Sequence, residues 1–326
     1  MQCLRGMKLN DGDNLRALIR LGADLRKSSI IHQSWASETV IRLLPDGDHC
    51  VKEGPSALIQ WEYFIYSAVQ RRVHISHICE RFIDQGERAY ILLHRVVCFS
   101  DMFEDIAKDP KLGLPGATVA WCAYSAIHAM RLIHEIGVLH GDIHPGNVGV
   151  TASIPMHHFL HLSAPTAHIH DVFQVAFIDY QWAEICDFHP EGSDIPPTRM
   201  WLYASDRQLL NDANKTRYSV ADDIESLAYT LLALCYDGQL PWRDEIDTAS
   251  SRDRSFGLDP ADVKFIVQTR QKHLDNLCDC SFMSDRGAGV AVELLDFVAY
   301  ARGLRVGDKI DYLRWENIFR RSSMSL

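Results

Sequence analysis

The sequence predicts an α+β fold, with a small β-rich first part that carries one helix and a larger, mainly helical remainder. Three observations point that way. Short apolar runs punctuated by turn signals occupy the chain to about residue 97. Beyond it, apolar residues recur at spacings of three and four over long stretches. The chain has 326 residues, 47% of them hydrophobic and 23% charged, so a core of domain size can be buried.

The strand-like runs are Leu15–Leu21, Thr39–Leu44 and Cys50–Val51, and Pro45-Asp46-Gly47-Asp48 supplies the turn that makes the last two a hairpin. Ser56 to about Arg72 reads as a helix with Leu58, Trp61, Ile65 and Val69 on its apolar stripe. Ala89–Val97 is an apolar run suited to one buried strand. In the second part, Thr118–Gly137 carries Val119, Cys122, Ile127, Met130 and Ile133 on one stripe, with Gly137 as C-cap. Ser219 and Asp222 open a helix that runs to about Tyr236. Ile224, Leu227, Ala228, Leu231, Leu232 and Leu234 make it apolar on nearly every side, so it belongs in the middle of its layer. The sequence has no internal repeat and no low-complexity tract.

Charge and cysteine usage narrow the function classes. The 33 basic and 43 acidic residues leave a formal net charge of −10, without a dense Lys/Arg run. That argues against nucleic acid and against anionic membranes as partners. Nine cysteines without paired spacing suit free thiols in a reducing compartment, and Cys278 and Cys280 lie too close for a zinc-ribbon or thioredoxin motif. Met1–Leu21 carries charges throughout, unlike a signal peptide. The expectation is an intracellular protein, cytoplasmic or nuclear. Five histidines between Thr151 and Asp171 (His157, His158, His161, His168, His170) could bind a transition metal, but no Cys or carboxylate partner stands at a recognised spacing.

The chemistry-bearing segment is Leu139-His140-Gly141-Asp142-Ile143-His144-Pro145-Gly146-Asn147. A carboxylate five residues before an amide, in a loop closed by Pro and Gly, suits a base beside a metal ligand. Asp142 can orient or deprotonate an attacking hydroxyl while the Asn147 oxygen coordinates Mg²⁺. Downstream, Val175-Ala176-Phe177-Ile178-Asp179-Tyr180 ends an apolar strand on a lone carboxylate, an oxygen ligand suited to a hard cation.

These segments resemble the protein kinase superfamily, and within it the casein kinase I and vaccinia-related kinase group. His140–Asn147 looks like the catalytic loop in its His-Gly-Asp form, and Ile178-Asp179-Tyr180 resembles the Asp-Phe-Gly segment. Ala221-Asp222-Asp223-Ile224-Glu225-Ser226-Leu227 is similar to the start of the group's central helix, and Gly238-Gln239-Leu240-Pro241-Trp242 to the segment just after that helix. Phe297–Leu304 and Asp311-Tyr312-Leu313-Arg314 are similar to its C-terminal helices. The likeness spans roughly residues 40 to 320. It implies one bilobal domain over 1–326, with lobes 1–95 and 96–326 and a linker near His94 to Cys98. It further implies ATP and Mg²⁺ as cofactors and a protein as substrate or partner. Asp142, Asn147 and Asp179 would be catalytic, with Asn147 and Asp179 holding the metal. Lys52 would contact phosphates with Glu62 as its ion-pair partner, Gly22 would stand in the phosphate-cradling loop, and Asp223 would brace the catalytic loop.

Three positions depart from that pattern. Gly22 is the one glycine between about Gly22 and Ile31, where Asp24 and Lys27 occupy places that favour glycine. Gln181 replaces the glycine after Asp179, and His144 replaces a lysine that would meet the γ-phosphate. Three functions therefore stay open: a serine/threonine-protein kinase, a pseudokinase that acts through a partner protein, and a small-molecule phosphotransferase.

Overall fold

The computed structural model describes residues 27–34, 37–72, 79–109, 113–152, 173–186, 201–210, 218–250, 259–277 and 290–325. The expected strand at Leu15–Leu21, Gly22, Asp24, the five histidines between 151 and 171, and Cys278 and Cys280 lie outside them. The fold is α+β, and the chain divides into two compact units, Met1–Arg95 and Val96–Leu326.

The described residues of the first unit form a five-stranded antiparallel sheet with one helix. Its strands are β1 (Ser29–Ser34), β2 (Thr39–Leu43), β3 (His49–Pro55), β4 (Cys79–Asp84) and β5 (Arg88–His94), ordered β1-β2-β3-β5-β4. The turn at Asp46-Gly47 joins β2 to β3 as the sequence predicts. Gly47 adopts φ +78°, and Asp46 Oδ1 accepts the backbone N–H groups of Asp48 and His49. Residues 29–31 are already strand, so the expected glycine-loop segment cannot reach Ile31. Helix α1 (Ser56–Arg72) has the bounds its periodicity predicts, but its buried face is a neighbouring stripe. Ile59, Glu62, Ile65, Tyr66 and Val69 are buried, whereas Leu58 and Trp61 are only half-buried. A spacing of three and four fits both stripes, and packing against the sheet selects one.

The run Ala89–Val97 is two strands rather than one. β5 stops at His94, Arg95 donates its N–H to Asp48 O at 2.8 Å, and β6 (Val96–Cys98) joins another sheet. Apolarity alone does not say which neighbour accepts a strand's backbone hydrogen bonds.

The second unit holds the sheet β6-β8-β9, with β8 at Val148–Ala152 and β9 at Phe173–Phe177, and the pair β7 (Val138–Leu139) and β10 (Glu184–Ile185). Gly149 lies opposite Cys98, where an added Cβ would meet Val97 O at 2.3 Å. Its helices among the described residues are α2 (Phe99–Lys108), α3 (Gly116–Glu135), α4 (Asp206–Leu210), α5 (Val220–Cys235), α6 (Arg243–Ser250), α7 (Pro260–Asn276), α8 (Ala291–Gly303) and α9 (Tyr312–Ser325). α3 buries the predicted stripe, and Gly137 follows it at φ +76°. α5 is buried from Ala221 to Cys235, as its all-round apolarity predicts. It packs against α3 and α8, while α9 packs against α3 and buries Trp315 and Phe319. Phe297 of α8 meets the Trp315 ring at a tilt and the Phe319 ring edge-to-face, centroids 5.0 and 6.0 Å away. Among the described residues, no helix is long and apolar enough to cross a membrane.

Candidate active site

Both units carry candidate site residues. In the first, Lys52 lies in mid-β3, in register with Ile41 of β2 and Ile91 of β5. Alternation along the strand puts it on the same face as Cys50, and both are buried. Its Nζ lies 2.7 Å from Glu62 Oε2 on α1, and the two side chains are 3% and 0% exposed. Opposite charges removed from water this completely must be matched to each other. The neighbouring Cys79 thiol is pushed up to about 12, by burial first and then by the Glu62 carboxylate.

In the second unit, the loop 140–147 connects β7 to β8. Asn147 is buried, and its Nδ2 donates to Asp142 O at 2.9 Å and to Asp142 Oδ2 at 3.2 Å. With its nitrogen committed there, its oxygen is the atom left to meet a cation. Ile178 donates its N–H to Asn147 O at 2.9 Å, which ties the loop to the end of β9. The next residue, Asp179, stands in the left-handed region at φ 64°, ψ 63°. A non-glycine residue held there costs of order 1–3 kcal/mol, a strain that proteins concentrate at functional sites.

His140 links these parts. Its Nδ1 accepts the Asp142 N–H at 3.3 Å, so the proton sits on Nε2 and is donated to Ile178 O at 3.1 Å. The ring is fully buried between Tyr180 and Phe177. Burial pulls its pKa below the ordinary value, outweighing the opposite pull of Asp223, Asp142 and Asp179. A neutral imidazole thus touches the segments that carry both candidate catalytic carboxylates.

Asp223, fully buried on α5, accepts the N–H groups of His140 at 2.8 Å and Gly141 at 3.1 Å. It also accepts His134 Nε2–H at 2.9 Å and the Tyr218 hydroxyl at 2.5 Å. Burial works to raise its pKa, but the hydrogen bonds and charge of the groups around it hold the carboxyl below the usual range. Gly141 turns at φ +83°, and an added Cβ would lie 2.7 Å from Trp182 O. His144 accepts the Gly146 N–H on Nδ1 and points Nε2 at Asp142 Oδ2, 3.6 Å away.

The structure thus gathers Asp142, Asn147 and Asp179 around one buried imidazole, and pairs Lys52 with Glu62 in the other unit. Gly22 lies outside the described residues. Sequence reasoning missed His134, Tyr218 and Tyr312, whose hydroxyl meets His134 Nδ1 at 2.5 Å. The one visible signal was His134, a polar residue in the last turn of an apolar helix. It also missed Arg270, a fully buried side chain bound to Asp206 Oδ1 at 3.0 Å and to Ala204 O at 2.6 Å. A cavity of about 580 Å³ lined by Arg207, Asp222, Glu225, Gln271, Asp296 and Arg302 includes none of Asp142, Asn147 or Asp179, so it is not the site of that chemistry. Comparison with known proteins finds no family model and no curated protein that matches the chain.

Proposed function

We propose that this chain is an ATP- and Mg²⁺-dependent kinase that transfers the γ-phosphate to Ser or Thr hydroxyls of a protein. The observation that carries the reading is the assembly of Asp142, Asn147 and Asp179 around neutral His140, with Asp223 fixing the loop from below. On this reading the unit Met1–Arg95 corresponds to the small lobe of a protein-kinase-like fold and Val96–Leu326 to the large one. The resemblance to casein kinase I and vaccinia-related kinases adds Lys52, aligned by Glu62, as the phosphate contact.

Asp142 accepts the proton of the attacking hydroxyl, and the Asn147 amide holds its carboxylate in place. Asn147 Oδ1 and the Asp179 carboxylate are the oxygen donors that would hold Mg²⁺, which supplies charge neutralisation for the phosphate oxygens. Burial keeps His140 uncharged, so it orients the two segments without competing for those carboxylates.

Purified chain incubated with labelled ATP, Mg²⁺ and casein tests the reading. Transfer is expected, and Asp142→Asn should slow it about 10²–10⁴-fold with nucleotide binding kept. Asp179→Asn should weaken both metal-dependent binding and transfer. Transfer untouched by Asp142→Asn would remove that residue from the chemistry. A choline and aminoglycoside panel in place of casein tests the small-molecule alternative.

A pseudokinase that works through a partner protein is the second reading. It is favoured by Gln181, which follows Asp179 and Tyr180 where glycine is expected, and whose side-chain oxygen is buried without a hydrogen-bond partner. Absence of transfer to any acceptor, with the fold intact, would select it.

A further inference from the structure

Away from these residues, three side chains of the first unit converge as metal ligands do. His49 begins β3 and lies directly across from His94, the last residue of β5, with ring centroids 4.7 Å apart. Glu80 comes from β4, where the β4–β5 register shifts between Cys79 and Arg81, and such a bulge re-aims a side chain. Glu80 Oε1 lies 2.7 Å from His94 Nε2 and 3.4 Å from His49 Nε2. All three ligand atoms fall within 4.8 Å of one another.

The outer contacts are those of a metal-binding imidazole. His49 Nδ1 faces Asp46 Oδ2 at 2.8 Å, and Asp46 is itself locked in the turn by the N–H groups of Asp48 and His49. A carboxylate on Nδ1 fixes that nitrogen as the protonated one and turns the Nε2 lone pair outward. In a tetrahedral zinc site with bonds of about 2.0–2.1 Å, neighbouring ligand atoms stand roughly 3.3 Å apart. The His49–Glu80 separation already matches, and the His94–Glu80 contact must open by about 0.6 Å on that geometry. Both side chains are partly exposed, at 42% and 37%, so they have room to do so.

We propose that His49, Glu80 and His94 form a binding site for a divalent transition-metal ion of the zinc type, with Asp46 orienting His49. Two imidazoles and one carboxylate suit Zn²⁺ better than Mg²⁺ or Ca²⁺, which prefer all-oxygen shells. Three protein ligands leave a fourth position for water or a partner's side chain. The bound ion ties β3, β5 and β4 together at one end of the sheet. Strand alternation puts His49 with Val51 on one face and Lys52 on the other, so the site is separate from the Lys52–Glu62 pair.

The full chain, stripped with a chelator, is titrated with ZnCl₂ by calorimetry in millimolar Mg²⁺. The histidines at 157, 158, 161, 168 and 170 are first replaced by alanine, so that they do not contribute. One equivalent of zinc is expected, with at least about 100-fold weaker binding in His94→Ala and in Glu80→Ala. Asp46→Asn, which keeps the ligands and alters only their support, should weaken it about 10-fold. Far-UV spectra verify that each variant folds. X-ray absorption on the zinc-loaded parent should show two imidazoles at about 2.0 Å, and this decides the matter even where a variant fails to fold. No stoichiometric uptake, uptake unchanged by His94→Ala, or fewer than two imidazole ligands would overturn the proposal.

Discussion

The Lys52–Glu62 pair separates structural from functional roles at the scale of single residues. Removing one partner leaves the other charge buried, so Lys52→Met should cost about 3–5 kcal/mol in denaturant unfolding. The double variant Lys52→Met, Glu62→Met replaces both charges by apolar side chains and should recover most of that loss. On the proposed function it recovers stability but not nucleotide binding, and a double variant that binds Mg-ATP normally would reduce the pair to a packing device. Gly141 gives a second test. A side chain there meets both a left-handed backbone and Trp182 O, so Gly141→Ala should destabilise by about 1–3 kcal/mol. Asp142 and Asn147 were legible in the sequence because they stand five residues apart, and Asp179 as a lone carboxylate that ends an apolar strand. His134 was not, since its partner, Asp223, is met only after the chain has folded back on itself; Tyr218 stands five residues before Asp223, yet nothing in that spacing marks the contact.

Elements succeed or fail by their ends and buried faces. Ser219 caps α5 through a reciprocal pair of bonds. Its Oγ accepts the Ala221 N–H at 3.2 Å, and Asp222 Oδ2 accepts the Ser219 N–H at 2.7 Å. Ser219→Ala should cost about 0.5–2 kcal/mol of stability, measured by chemical unfolding. Within the same helix, Glu225 is pushed up to about 7 by burial and by the Asp206 carboxylate beside it. The folded state therefore binds its proton more tightly than the unfolded state, whose value is near 4.5. The stability this contributes is full below pH 4.5 and is lost as pH rises to about 7. Glu225→Gln keeps an acceptor for the Asp206 N–H and the Tyr229 hydroxyl, yet carries no charge. Its melting temperature should gain on the wild type steadily between those pH values, and a constant difference would show that Glu225 does not titrate there. The bounds of α1 and α5 could be read from periodicity and capping. The face of α1 could not, because two stripes one residue apart share the same spacing.

For the whole molecule, the proposed function makes ligand binding a stability measurement. Mg-ATP at about 100 times its dissociation constant should stabilise the full chain by about 2.7 kcal/mol and raise its melting temperature. Millimolar nucleotide that leaves both melting and calorimetry unchanged would remove ATP from the account. The C-terminal helix α9 bears on the same scale. Trp315 is fully buried against Phe297 and Phe319, so Trp315→Ala should cost about 3–5 kcal/mol, read by denaturant unfolding.

By itself the sequence determined the α+β class, the hairpin at Asp46-Gly47, the spans of α1, α3 and α5, and the five-residue spacing of Asp142 and Asn147. All of these rest on periodicity, turn residues or short spacing, which act within a few turns of chain. Tertiary structure alone decided that Ala89–Val97 breaks at Arg95. It also decided that His140 is held neutral and that His49, Glu80 and His94 meet. Each of those outcomes depends on which distant strand or helix supplies the hydrogen bond or removes the water, and only the assembled chain specifies that.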